Sequence, residues 1–158
     1  GKKIINKDIS KINLKNNMTS KGKGSRTERE LVHLLNNKGI WSAIRVAGSG
    51  LTADPNPDVL GGKKGRCLAI ECKSIKGNSR YLYPEDIEQI VDFATKFGAE
   101  PWLAIRFNIK GWYFLKPHHL EKTKSSNLVV NLELAEEKGL RFDEVIKEVK
   151  KNAKYNKI

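Results

Sequence analysis

The stretch Ala69-Ile70-Glu71-Cys72-Lys73-Ser74 places an acid and an ammonium two residues apart in a segment that reads as a strand. In an extended chain residues i and i+2 face the same side. Glu71 and Lys73 therefore share one face, and Ile70 and Cys72 the other. Spacing alone is weak evidence of chemistry, because Glu-x-Lys recurs at Glu136/Lys138 and Glu148/Lys150. Those copies sit in helically patterned segments, where a solvated surface pair is the ordinary reading.

The first copy has different surroundings. Asp58-Val59-Leu60 reads as a short strand, GGKKG (61–65) as a hairpin turn, and RCLAIECKS (66–74) as the partner strand. Antiparallel pairing across that turn can set Asp58 beside Glu71. A third acid, Glu28, precedes Leu31, Val32 and Leu35 by 3, 4 and 7 residues. It thus belongs on the apolar side of a helix, where Glu30 does not. A first-turn carboxylate also stabilises the helix dipole, which is its plainer role.

Three carboxylates against one lysine do not balance. At ~4 Å and an effective dielectric near 20, each like-charge pair costs about 4 kcal/mol, and Lys73 offsets only part of it. Either the acids hold a proton or a divalent cation belongs between them. Oxygen donors without sulfur or imidazole favour Mg²⁺ or Mn²⁺ over zinc. Such a site suits phosphodiester hydrolysis. The metal polarises the phosphate and activates water, and a lysine positions that water or stabilises the developing charge.

Bulk composition points the same way. The 158 residues, about one domain, carry 30 Lys+Arg against 18 Asp+Glu, net +12. That excess implies a polyanionic partner, most often nucleic acid. Residues 1–17 hold five Lys and one Asp. They read as a flexible basic arm, a tag or an upstream extension, ahead of a domain over 18–158 that opens at Met18, the only methionine. Cys67 and Cys72, five apart on one strand, face opposite sides and cannot bridge. A reducing, cytoplasmic setting fits. His33, His118 and His119 complete no zinc pattern. Neither a membrane span nor an apolar signal core is visible.

The elements that must hold these residues follow from punctuation and periodicity. TERELVHLLNNKG predicts a helix with a capping box at Thr27 and Glu30 and a stop at Gly39. WSAIRVA (41–47) predicts a strand and GSGLTADPNP (48–57) a long loop. A second helix runs from Pro84 to Gly98, with Ile87, Ile90, Val91, Ala94 and Phe97 expected on its buried face. PWLAIRF (101–107) and GWYFLK (111–116) read as strands joined by a turn at 108–110. A short strand is expected at LVV (128–130) and a helix from about Phe142 to Lys150. The order predicts a single α/β domain with a mixed central sheet flanked by helices.

Asn56-Pro57-Asp58 followed by Glu71-Cys72-Lys73, with a helical acid upstream, resembles the PD-(D/E)-x-K nucleases. More narrowly, KGSRTERELVHLL, IRVAGSG, PDV, LAIECKS and the helix ending FATKFGAE resemble the archaeal Holliday junction resolvases, in order over about residues 20–116. The resemblance implies a restriction-endonuclease-like fold. It implies a homodimer that resolves four-way DNA junctions by paired symmetric cuts with Mg²⁺, Mn²⁺ substituting, in recombination and repair at the nucleoid.

Carried over by position, Asp58 and Glu71 bind metal with the main-chain carbonyl of Cys72. Glu28 completes the acidic cluster as a further catalytic and metal-binding acid, Lys73 is the catalytic lysine, and Ser49, matching a serine in a mobile loop near the site, joins the catalytic set. Arg29 and Arg45 match residues that engage the DNA backbone, with Lys23, Lys63 and Lys64 added to that surface. Phe93 and Phe97 match residues around the dimer surface, although a core stripe explains Phe97 equally well. Other readings stay open: a related nuclease acting on linear duplex, a non-catalytic junction-binding paralogue, or a basic DNA-packaging protein. Gln89 is followed four residues later by Phe93 rather than the tyrosine of exonuclease relatives. All four of Glu28, Asp58, Glu71 and Lys73 are present, which a non-catalytic paralogue usually lacks.

Overall fold

Two strands that pair across a tight turn form the spine of the computed structural model, which describes residues 24–48 and 54–147. They are β2 (Val59–Lys63) and β3 (Arg66–Ile75). The arm 1–17, Met18, Lys23, Ser49 and the expected helix end at 148–150 lie outside the described residues. With β1 (Ser42–Arg45), β5 (Glu100–Phe107) and β6 (Gly111–Leu115) they make a five-stranded sheet of order β1-β2-β3-β5-β6. Only the β3–β5 pairing is parallel, so the sheet is mixed, as the element order predicts. A second sheet of β4 (Ser79–Leu82), β8 (Leu128–Asn131) and β7 (Glu121–Lys122) packs beside it.

Helix α1, residues 24–36, places Leu31 and Leu35 in a core with Val59, Leu68, Ile70 and Trp102. Helix α2 (Pro84–Phe97) buries Ile90 and Ala94 against Ala69, the β3 neighbour of Ile70 that faces the other way. The sheet is therefore covered on both faces, and β3, at its centre, buries the continuous apolar run Leu68-Ala69-Ile70 before its polar residues Glu71 and Lys73. Two short helices, α3 (Leu132–Lys138) and α4 (Phe142–Lys147), complete the layer near β6.

Several expectations change. Thr27 is not a helix cap: it lies buried within α1, and Glu30 reaches to Arg106 at 3.0 Å and Trp112 at 2.9 Å instead of back along the helix. Gly61 and Gly62 belong to β2 rather than to the turn, because Lys63 already pairs with Arg66. The turn is Lys64-Gly65, with Gly65 at φ +81°. Gly61 serves packing, since a Cβ there would stand 3.0 Å from Leu35 Cδ1. On α2, Val91 and Phe97 are exposed rather than buried, because the stripe that meets the sheet is Ile87, Ile90 and Ala94. Strands β4 and β7 were not anticipated, and α3, whose Glu136/Lys138 pair reads as helical in the sequence, was given no bounds. For α3 a signal existed, since Asn131 caps it by accepting from the Leu134 amide at 2.7 Å.

Candidate active site

The β2–β3 register pairs Val59 with Ile70, so Asp58, just before β2, falls opposite Glu71. Asp58 is held on three sides. Its amide donates to the Ile70 carbonyl at 2.9 Å, and its carbonyl accepts from the Val46 amide at 2.9 Å. Its Oδ2 accepts from the Cys72 amide at 2.8 Å. Strand alternation then sets Glu71 and Lys73 on one face, with Lys73 Nζ 3.4 Å from Glu71 Oε1. A residue sequence reasoning missed, Asp86 in the first turn of α2, stands 3.9 Å from the same ammonium. Pro84 and the acids after it mark that turn, which is the signal that could have placed it.

Glu28, from α1, arrives at the same cleft, and its carboxylate receives the Arg45 guanidinium of β1. The cleft has a volume of about 460 Å³ and gathers Glu28, Asn56, Asp58, Glu71 and Lys73, with Arg80 and Gln89 at its border. Arg80 carries no sequence signal, since it reaches the cleft only because β4, paired with β8, brings it to donate to the Ser74 carbonyl at 3.1 Å.

The electrostatics match the imbalance of acids over bases. Burial pushes the Glu71 carboxyl up to about 8, reinforced by the Asp58 charge and only partly opposed by Lys73. Burial also raises Glu28, against the hydrogen bond from Arg45. The Cys72 thiol is pushed well up by complete burial and by Asp58, Glu28 and Glu71 around it, so its sulfur is inert while its main chain lies at the cleft. A site whose buried carboxyl resists ionising beside another carboxylate has the charge deficit that a divalent cation fills.

The donors are oxygens, which fits Mg²⁺ or Mn²⁺. Among the described residues no three His, Cys, Asp or Glu side chains converge at ligand distance. A cation would accordingly rest on Asp58, Glu71 and a main-chain oxygen, with Glu28 paired to Arg45.

The remaining candidates spread over the surface. Arg29 and Arg45 are exposed beside the cleft helix and strand, and Lys64 is exposed in the β2–β3 turn. Lys63 lies over the Trp41 ring, 5.5 Å from its centroid. On α2, Phe93 and Phe97 stack with centroids 5.1 Å apart. Phe97 borders a shallow apolar groove with Ile44, Leu60 and Cys67. Lys23 and Ser49 lie outside the described residues.

Comparison with known proteins now bears on this geometry. The model of the family described as archaeal Holliday junction resolvase (Hjc) matches residues 19–154. A crossover junction endodeoxyribonuclease Hjc of Archaeoglobus fulgidus is 40% identical over 130 residues, covering 78% of this chain and 95% of that protein. One of the same name from Sulfolobus acidocaldarius is 40% identical over 134 residues, covering 84% and 92%. The solved structure of Archaeoglobus fulgidus Hjc, a Holliday junction resolvase, superposes with a TM-score of 0.71 at 38% identity, covering 78% of this chain and 98% of that one. On the family match across residues 19–154 and these identities over most of both chains, the chain belongs to the archaeal Holliday junction resolvase family.

Proposed function

We infer that this chain is a structure-selective endodeoxyribonuclease that resolves four-way DNA junctions, working with Mg²⁺ as a homodimer on chromosomal DNA in the cytoplasm. The observation that carries the reading is the juxtaposition of Asp58 and Glu71 with Lys73 in one cleft of a strongly basic protein.

Asp58 and Glu71 are the groups that would hold the metal with the Cys72 carbonyl. When bound, the metal supplies Lewis-acid polarisation of the phosphate and a more acidic water. The Cys72 amide donates to one Asp58 oxygen and so orients the carboxylate at the cleft. Lys73, partly buried, lies where it can position the attacking water or neutralise charge growing on the phosphate. Arg45 and Glu28 form a pair at the rim, which orients the guanidinium for a backbone phosphate. The exposed Ile44 and Phe97, which border one apolar groove, offer an apolar patch for a second copy. Two-fold assembly would provide one cluster for each of the two cuts.

The test is cleavage of a synthetic four-way junction and of a linear duplex built from the same arms, each with Mg²⁺ and with EDTA. Paired cuts in the junction alone, dependent on Mg²⁺, are expected. Equal cutting of the duplex, or robust cutting in EDTA, would overturn the reading.

A further inference from the structure

Tyr81 and Tyr83, between the cleft-lining Arg80 and Asp86 in the chain, are each 69% exposed, and none of the chemistry above uses them. Strand β4 alternates. Leu82 is buried in a core with Ile75, Ile87 and Val130, and Arg80, on the same side, reaches back to the Ser74 carbonyl and lines the cleft. Tyr81 and Tyr83 occupy the opposite face. The backbone of Tyr83 is extended, φ −77° and ψ 133°, so the alternation carries on to it. Two residues along a strand separate the ring attachments by ~7 Å, enough to admit one base plane.

Position and charge say what covers this face. The Tyr83 carbonyl accepts from the Asp86 amide at 3.1 Å, and Asp86 stands 3.9 Å from the Lys73 ammonium. The Tyr83 main chain is thus tied to the helical turn that carries Asp86 to Lys73, so the tyrosine face flanks the cleft that Arg80 and Asp86 line. Between Lys73 and Pro84 the chain reads Ser-Ile-Lys-Gly-Asn-Ser-Arg-Tyr-Leu-Tyr, with two cations and no acid. Basic residues interleaved with exposed aromatics are the surface on which unpaired bases stack. The other exposed apolar side chains differ. Ile44 and Phe97 border the groove on the far side of α2, and Ile40 and Ile109 are isolated.

We propose that Tyr81 and Tyr83 form a stacking platform for a nucleobase released from pairing at the branch point, and so help select junctions over continuous duplex. A paired base in a duplex keeps both faces against its neighbours, whereas a frayed base at an exchange point has a face to offer. The inference rests on the junction-cleaving reading.

The probe is a four-way junction carrying 2-aminopurine at the branch point, whose fluorescence falls when the base stacks. Binding in EDTA should quench it with the wild type and with Tyr81→Phe/Tyr83→Phe. Tyr81→Ala/Tyr83→Ala should lose the quenching and about tenfold of the binding preference for junction over linear duplex, while sedimenting like the wild type. The single variants Tyr81→Leu and Tyr83→Leu keep an apolar side chain without a ring and should also lose quenching, which serves if the double alanine variant does not fold. Unchanged fluorescence with the wild type, an unchanged preference in the alanine variant, or a shift in its sedimentation would overturn the platform. Wild-type cleavage of the same junction in Mg²⁺ judges the other reading separately. Cutting without quenching removes the platform alone, and quenching without cutting removes the nuclease assignment alone.

Discussion

The Cys72 amide donates to Asp58 Oδ2 at 2.8 Å, tying the strand that carries Glu71 and Lys73 to the acid across the hairpin. One carboxylate oxygen is thereby spent on holding the site together while the group still contributes charge. The two roles can be separated by substitution. Asp58→Asn keeps an oxygen acceptor, so thermal unfolding should shift little, yet cleavage should fall by more than about 10²-fold with junction binding retained. Asp58→Ala also orphans a buried amide and should lose a further 1–3 kcal/mol, roughly, of stability in denaturant titration. Equal stability of the two variants would remove the positioning role.

Lys73 sits between Glu71 and Asp86 in a part-buried cleft, whereas Lys138 is exposed beside Glu137. Lys73→Ala should therefore abolish most single-turnover cleavage with its circular dichroism unchanged, and Lys138→Ala should cut like the wild type. Equal losses would mean that the Glu-x-Lys spacing had been over-read.

Metal-free stability should depend on pH in a definite direction. The Glu71 carboxyl is raised from 4.5 to about 8, so between those values the folded state holds a proton that the unfolded state has released. Stability contributed by that proton is present at the acid end and is lost as pH rises towards 8. Thermal melts in EDTA should show this decline, and Glu71→Gln should flatten it. Glu100 acts oppositely. Although burial raises it, Arg66 outweighs that and lowers it, so its contribution disappears below its ordinary range in acid. A wild-type stability rising steadily from pH 4.5 to 8 would contradict the Glu71 assignment.

Binding should be steeply salt-dependent, as a +12 chain meeting phosphates requires. Arg29→Ala should flatten the slope of log K against log salt by about one unit, with little effect on the chemical step. Arg45→Ala strips Glu28 of its partner and, if Arg45 meets a backbone phosphate as proposed, should flatten the slope and slow cleavage together. Filter binding at graded salt and single-turnover rates separate the two, and an unchanged slope for both would take them off the DNA surface.

Phe97 is 57% exposed, borders an apolar groove with Ile44 and stacks on Phe93. If this is the surface that joins two copies, Phe97→Glu should sediment as a monomer, cut supercoiled cruciform plasmid to nicked circles, and keep the melting profile of a folded domain. A dimeric Phe97→Glu variant would relocate the interface.

The acidic pair and its lysine were legible in the sequence because strand alternation and a two-strand hairpin are local rules. Asp58 before one strand and Glu71-x-Lys73 on the next leave little choice of register once the turn is placed. Helix α2 was equally plain, from Pro84 to the left-handed Gly98. The turn itself was misjudged, since Gly61 and Gly62 belong to β2, where Gly61 lets Leu35 approach the sheet. What lay beyond the sequence depended on partners distant along the chain. Glu30 looked like a cap residue until Arg106 and Trp112 came within reach. Phe97 looked like core until Ile87, Ile90 and Ala94 took the face of α2 that meets the sheet and left it outside. Arg80, Asp86 and the tyrosine pair gained meaning only when β4 folded against β8 and returned the chain to the cleft. Periodicity tells which residues share a face of one element, but which faces meet is settled by packing across the whole sheet, and that is a property of the tertiary structure.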